Sequence, residues 1–335
     1  MSLRPRSKPD AAPSGQGSRE HHWWPVGLQK HWTDASGNLS FINPHGRVSR
    51  KKAANRKVAK KAHGHTVLMK GPWTTNFEPD FERADDSINA VLSSLEQYKA
   101  KGGSSFWDFL KLMSLLSKRD RTLRDMCRYH ELDSQLAAAA ALLIVSLLIR
   151  LPARRHVYEG VSQWVGLPPD PNIGKMNMRQ FFHIARDAIE KGAASRMFFV
   201  LIRSPLREFI YGDGVLDWMS DSFASLQIRG RALLPLTPKL CVYVCTPSVR
   251  FGRHNCASFY AAPWMVDAIN EMTQIYSKDF LFFRSKPPVL TEHFKSEQFL
   301  SHELQRDDLL ELLDDVARGG RVGRFEAQLH GRFDL

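Results

Sequence analysis

The run Leu136–Ile149 constrains this chain most: fourteen consecutive residues carry no charge and only one hydroxyl, Ser146. A helix that crosses a bilayer needs about 20 apolar residues. A run of this length, closed by Asp133 before it and Arg150 just after it, is therefore expected as a helix buried inside protein, with no membrane as partner. Such a helix must be covered on every side, and 43% hydrophobic against 24% charged residues over 335 positions supplies the cover. Four cysteines and no apolar leader after Met1 predict a reduced chain with no disulfide partner, placed in the cytoplasm.

Patterning on either side of that run predicts an α+β fold. Apolar residues Phe81, Ala84, Ile88, Val91, Leu92 and Leu95 recur at three- and four-residue spacing, which predicts one helix over Phe77–Tyr98. Further helices are expected at Phe106–Leu116, Leu123–Leu151, Met178–Lys191, Trp264–Tyr276 and Ser301–Arg318. Branched and aromatic residues predict strands at Leu39–Ile42, Thr66–Met69, Met197–Ile202, Glu208–Tyr211, Ala232–Leu234, Leu240–Val244 and Phe280–Phe283. Helices in the middle with small β elements on the N-terminal side and a mixed strand and helix region after them argue against alternating βαβ units. The expected division is a disordered tail over 1–20, a main α+β domain over 21–284 and a C-terminal helical extension over 285–335.

Charge is unevenly placed. Residues 1–75 hold 14 Lys and Arg against 3 Asp and Glu, whereas the rest of the chain holds 33 against 32. Within the first part, Arg50, Lys51, Lys52, Arg56, Lys57, Lys60 and Lys61 fall together with no acid among them. Such a segment can contact a phosphate backbone through counterion release, so DNA or RNA is an expected partner. It lacks interleaved aromatics for base stacking, which makes any such binding sequence-tolerant. A solvated basic linker, or a dock for an acidic protein, fits the same residues.

Four motifs taken in order resemble the domain-of-unknown-function 4238 family, widespread in bacteria. They are His21-His22-Trp23-Trp24-Pro25 with Leu28 and Trp32, Arg150-Leu151-Pro152-Ala153-Arg154-Arg155, Phe209–Val215 with Leu234–Leu240, and Asn270 within Val266–Phe282. The resemblance spans roughly His21 to Phe283 and departs from the family at Gly214. It implies no known activity.

Candidate chemistry rests on a few polar residues. Glu78, Glu82 and Asp85, at helical spacing, could share Mg²⁺ or Mn²⁺, although acids in a first turn also complement the helix dipole. Asp213 sits between Gly212 and Gly214 after an apolar strand, and is expected as an accessible carboxylate or as a turn residue. His21 and His22 could supply a base or a metal ligand, and Asn270 lies nearly opposite the apolar face of its helix. The expected catalytic set is His22, Glu78 and Asp213, and the expected metal set Glu78, Glu82, Asp85 and Asp213. Two readings stay open: a nucleic-acid-interacting protein with metal-dependent nuclease activity, and a non-catalytic module docking an acidic partner through the basic segment.

Overall fold

The computed structural model describes residues 20–52, 59–67, 75–103, 107–108, 110, 122–248, 253–302 and 307–319. Its architecture is α+β, as the patterning predicts. The apolar run becomes the helix Ser134–Arg150, in which every residue from Ala140 to Arg150 is buried. Asp133 starts it by accepting from the amides of Gln135 and Leu136 at 2.9 and 2.8 Å. Pro152 ends it, because a proline nitrogen cannot donate and its ring excludes a preceding helical turn. Among the described residues, no single helix is long and apolar enough to cross a membrane. All four cysteines are free and buried.

The strands, in chain order, are β1 (Glu20–His22), β2 (Asn38–Ile42), β3 (Val48–Lys52), β4 (Lys60–Ala62), β5 (Thr66–Val67), β6 (Thr75–Asn76), β7 (Arg128–His130), β8 (Phe198–Arg203), β9 (Tyr211–Gly212), β10 (Leu216–Asp217), β11 (Arg231–Thr237), β12 (Leu240–Cys245), β13 (Cys256–Tyr260) and β14 (Leu281–Phe283). A six-stranded mixed sheet runs β10-β11-β12-β8-β13-β7, with β13 parallel to β8. A four-stranded sheet runs β3-β2-β14-β9, and β1-β4 and β5-β6 form two small ladders. The long strands β8, β11 and β12 are buried almost throughout, which explains their unbroken Val, Leu, Phe and Ile content.

One apolar cluster joins these layers, from Trp24 and Trp32 through the core helix to the central sheet strands. The helix Asp308–Arg318 belongs to it as well, burying Leu309, Leu310, Leu313, Val316 and Ala317. Arg231 and Tyr243 bond Asp314 of that helix, so the segment expected as an extension is built into the core.

The helices expected over Met178–Lys191 and Ser301–Arg318 begin instead at Pro171 and Asp308, and three further elements are broken or shortened. The helix over Phe77–Tyr98 is broken into a 3-10 turn, Glu78–Phe81, and two helices, Glu82–Asp86 and Ile88–Gln97. Pro79 occupies the first turn, and the Ser87 hydroxyl bonds the Ala84 carbonyl at the second break. The helix over Leu123–Leu151 is interrupted by β7, whose residues pair with β13. Strand Glu208–Tyr211 shortens to β9, because Asn270 takes the backbone that a neighbouring strand would have bonded. The helix expected over Phe106–Leu116 lies mostly outside the described residues.

Candidate metal centre and its basic flank

Three short elements bring polar groups together beside the core helix. β1 carries His21 and His22 and pairs antiparallel with β4, so that His21 faces Lys61 and His22 faces Lys60. A tight turn at His63 and Gly64 leads to His65 and into β5. β5 pairs with β6, and the Phe77 amide bonds the His65 carbonyl at 2.9 Å. That closure sets Glu78 beside His65 although 13 positions separate them in sequence.

His21, His65 and Glu78 each offer a ligand atom, and the three atoms lie within 4.8 Å of one another. His65 Nδ1 contacts Glu78 Oε2 directly. The His65 ring stacks on His21 at 5.2 Å and is walled by Phe77 and Phe81 at 5.4 and 5.1 Å. This dry setting, followed by the charges of Arg155 and Arg150, holds His65 well below the ordinary imidazole range. His65 is therefore neutral at pH 7, as a metal ligand must be. Burial pushes Glu78 up. His65 Nε2 is buried without a hydrogen-bond partner among the described residues.

His21 is a weaker donor. Its Nδ1 accepts the His65 amide hydrogen at 2.7 Å, so the neutral ring carries its proton on Nε2. A cation must displace that amide or take that proton, and either costs affinity. Two imidazoles and one carboxylate suit Zn²⁺, Mn²⁺ or Fe²⁺ better than Mg²⁺, which prefers oxygen.

Arg150 braces the centre from the core helix. It is fully buried, donates to both Asp85 carboxylate oxygens at 3.0 and 2.6 Å and to the Ser146 hydroxyl at 2.7 Å, and lies 4.6 Å over the Phe81 ring. The next arginines of the same motif diverge. Arg154 bonds Asp217 and Asp221. Arg155 instead turns to the Gly64 carbonyl at 3.0 Å, one residue from His65.

The expected sites are placed as follows. Glu78 joins the centre, and His21 takes the place expected of His22. Successive strand side chains leave opposite faces, so adjacent histidines cannot both follow one direction. His22 is half-buried, and burial with Lys60 opposite lowers it to about 4. Asp85 is committed to Arg150, and Glu82 is exposed. Among the described residues the expected carboxylate set Glu78, Glu82, Asp85 and Asp213 forms no shared ligand group.

Asp213 is not the accessible carboxylate expected from its glycine neighbours. It is buried, and its two oxygens accept from the Lys278 and Asp279 amides at 2.9 and 3.0 Å, clasping the turn before β14. The glycines serve close packing instead: a Cβ at Gly212 would meet Ser277 Oγ at 1.9 Å, and one at Gly214 the Tyr276 carbonyl oxygen at 1.8 Å. Asn270 likewise bonds the Ile210 amide and the Glu208 carbonyl, each at 3.0 Å, and acts as a surrogate strand edge.

The basic segment divides. Arg50, Lys51 and Lys52 lie on β3, the edge of the four-stranded sheet, where charges also prevent edge-to-edge pairing. Lys60 and Lys61 lie on β4 against the histidines. Arg56 and Lys57 fall outside the described residues.

His65, Arg155 and Lys175 were not singled out by sequence reasoning. Their only local signal is the His63-Gly64-His65 spacing and the last arginine of the Arg150–Arg155 motif. In comparisons with known proteins, the chain matches no family model, no curated protein and no solved structure.

Proposed function

We propose that this protein is a divalent-metal-dependent hydrolase of phosphodiesters, with nucleic acid as the substrate class and His21, His65 and Glu78 as the metal ligands. The observation that carries the reading is the convergence of two buried histidines and a carboxylate beside the ladder that carries Lys60 and Lys61. A bound divalent cation would supply polarisation of a phosphoryl oxygen and a water acidic enough to attack at neutral pH. Lys60 and Lys61 would hold the polyanion, and the Phe77 and Phe81 rings would keep bulk water from His65.

The opening motif of the resemblance to the domain-of-unknown-function 4238 family is the strand that carries His21, so the same reading extends to that family as a proposal. The test is cleavage of single- and double-stranded DNA and RNA by the full chain with Zn²⁺, Mn²⁺ or Mg²⁺. Cleavage that needs the cation and disappears in Glu78→Gln, with its circular dichroism unchanged, supports the reading. Absence of cleavage with every cation overturns it.

A further inference from the structure

We propose that Arg155, Lys175 and Lys61 form a subsite for a terminal phosphoryl group next to the metal centre, which deepens the hydrolase reading and rests on it for its place in the reaction. The two helices Pro152–Gly160 and Pro171–Glu190 build the subsite where they pack together, with Gly174 against Glu159 so closely that a Cβ would lie 2.6 Å from Glu159 Cγ. That contact sets Lys175, only 8% exposed, within electrostatic reach of the Glu159 carboxylate. Lys61 reaches Glu159 from β4 at 3.6 Å. Arg155, 3% exposed, enters from one turn earlier on the first helix and bonds the Gly64 carbonyl.

The charges do not close. Of the three cations only Lys61, which is exposed, has a carboxylate within ion-pair distance among the described residues. The buried Arg155 and Lys175 feel Glu159 from further off, and Asp170, which also caps the start of its own helix, acts on Lys175 alone. Arg155 Nε is buried with no hydrogen-bond partner among the described residues. A buried guanidinium so poorly compensated is costly unless an anion completes it. Burial holds Arg155 down to about 10, and the mutual repulsion of Arg155, Lys61 and Lys175 adds to burial in lowering both lysines.

The missing charge is of a definite kind. Two uncompensated positive charges match a phosphomonoester, which approaches a dianion at neutral pH, better than the single charge of an internal phosphodiester. The planar fork of Arg155 suits the oxygens of a phosphoryl group. Since Gly64 connects Arg155 to His65, a substrate held by its terminal phosphate would present its first ester linkages toward the metal centre. Glu159 occupies Lys61 until the phosphate arrives.

The experiment is titration calorimetry of the full chain, metal-free and at physiological salt, with inorganic phosphate. One-to-one binding is expected, weakened at least about tenfold in Lys175→Gln and in Arg155→Lys, each removing one charge-assisted contact or its fork geometry. Glu159→Gln removes the competing carboxylate and should tighten binding, a gain that misfolding cannot produce. Glu78→Gln should leave phosphate binding unchanged while abolishing metal binding, so the two readings fail separately. A nucleoside monophosphate and a 5′-phosphorylated oligonucleotide, each compared with its unphosphorylated form, identify the natural source of the group. No phosphate binding by the unaltered chain, or unchanged affinity in Lys175→Gln and Glu159→Gln, overturns the proposal.

Discussion

Lys61 stands directly opposite His21 in the antiparallel pair of β4 with β1, as Lys60 stands opposite His22. This register ties the C-terminal end of the basic segment to the candidate centre, and it separates two groups of lysines that look alike in sequence. Lys51 and Lys52 belong to an exposed sheet edge. Replacing Lys60 and Lys61 by Gln should therefore weaken nucleic-acid binding and flatten its salt dependence by about two phosphate contacts. The same change at Lys51 and Lys52 should have the smaller effect. A filter-binding titration across salt concentrations reads both.

Metal affinity should rank the three ligands. His65→Ala and Glu78→Gln each remove a ligand whose side chain bonds the other ligand and no backbone group, so each should lower Zn²⁺ or Mn²⁺ affinity by well over about tenfold, a loss that even outer partners of ligands can cause. His21→Ala should cost less, because His21 Nδ1 already serves the His65 amide. Equal losses for all three, in calorimetry, would show His21 binding through a freed nitrogen.

How far the sequence could be read follows from what makes each feature local. The core helix was legible because fourteen apolar residues exclude other burial states, and the strands β8, β11 and β12 because branched residues run unbroken. Glu78 was visible as one acid among several. Its partner His65 was not, since the β5–β6 hairpin that joins them is only two residues wide on each side. Arg155 was hidden for a different reason: the three arginines of one motif leave their helices in different directions and meet unrelated partners. Asp213 misled because glycine neighbours suggest an open turn, and here they mark backbone pressed against backbone.

The Arg150–Asp85 pair predicts a stability effect. Asp85→Asn leaves the fully buried guanidinium with a neutral partner, and loss of one member of a buried pair costs about 3 kcal/mol. Urea denaturation should show the midpoint falling with an unchanged slope. Arg150→Met together with Asp85→Leu removes both charges and should recover part of that loss.

Asp213 gives the sharpest division between a functional and a structural carboxylate. Asp213→Asn keeps the shape but offers one acceptor oxygen where the turn at Lys278 and Asp279 needs two, so an amide is left facing an amide. The expected cost is about 1–3 kcal/mol, with metal affinity unchanged. The variant should also alter the pH profile. Burial raises Asp213 from 3.8 in the unfolded chain to about 7, so between those values the folded state binds the extra proton. Its contribution is favourable below 3.8 and is lost as the pH rises toward 7. His22 acts in the opposite sense: its folded value of about 4 lies below the unfolded 6.5, so its contribution is present above 6.5 and is lost as the pH falls toward 4. His65, lowered for the same reason, adds to that loss. Between pH 7 and 4 the two histidines weaken the fold on acidification while Asp213 opposes them. The Asp213→Asn protein lacks that opposition, so its melting temperature should fall more steeply with acid than that of the unaltered chain. Parallel profiles would mean that Asp213 titrates alike in the folded and unfolded chain, against its burial between the two amides.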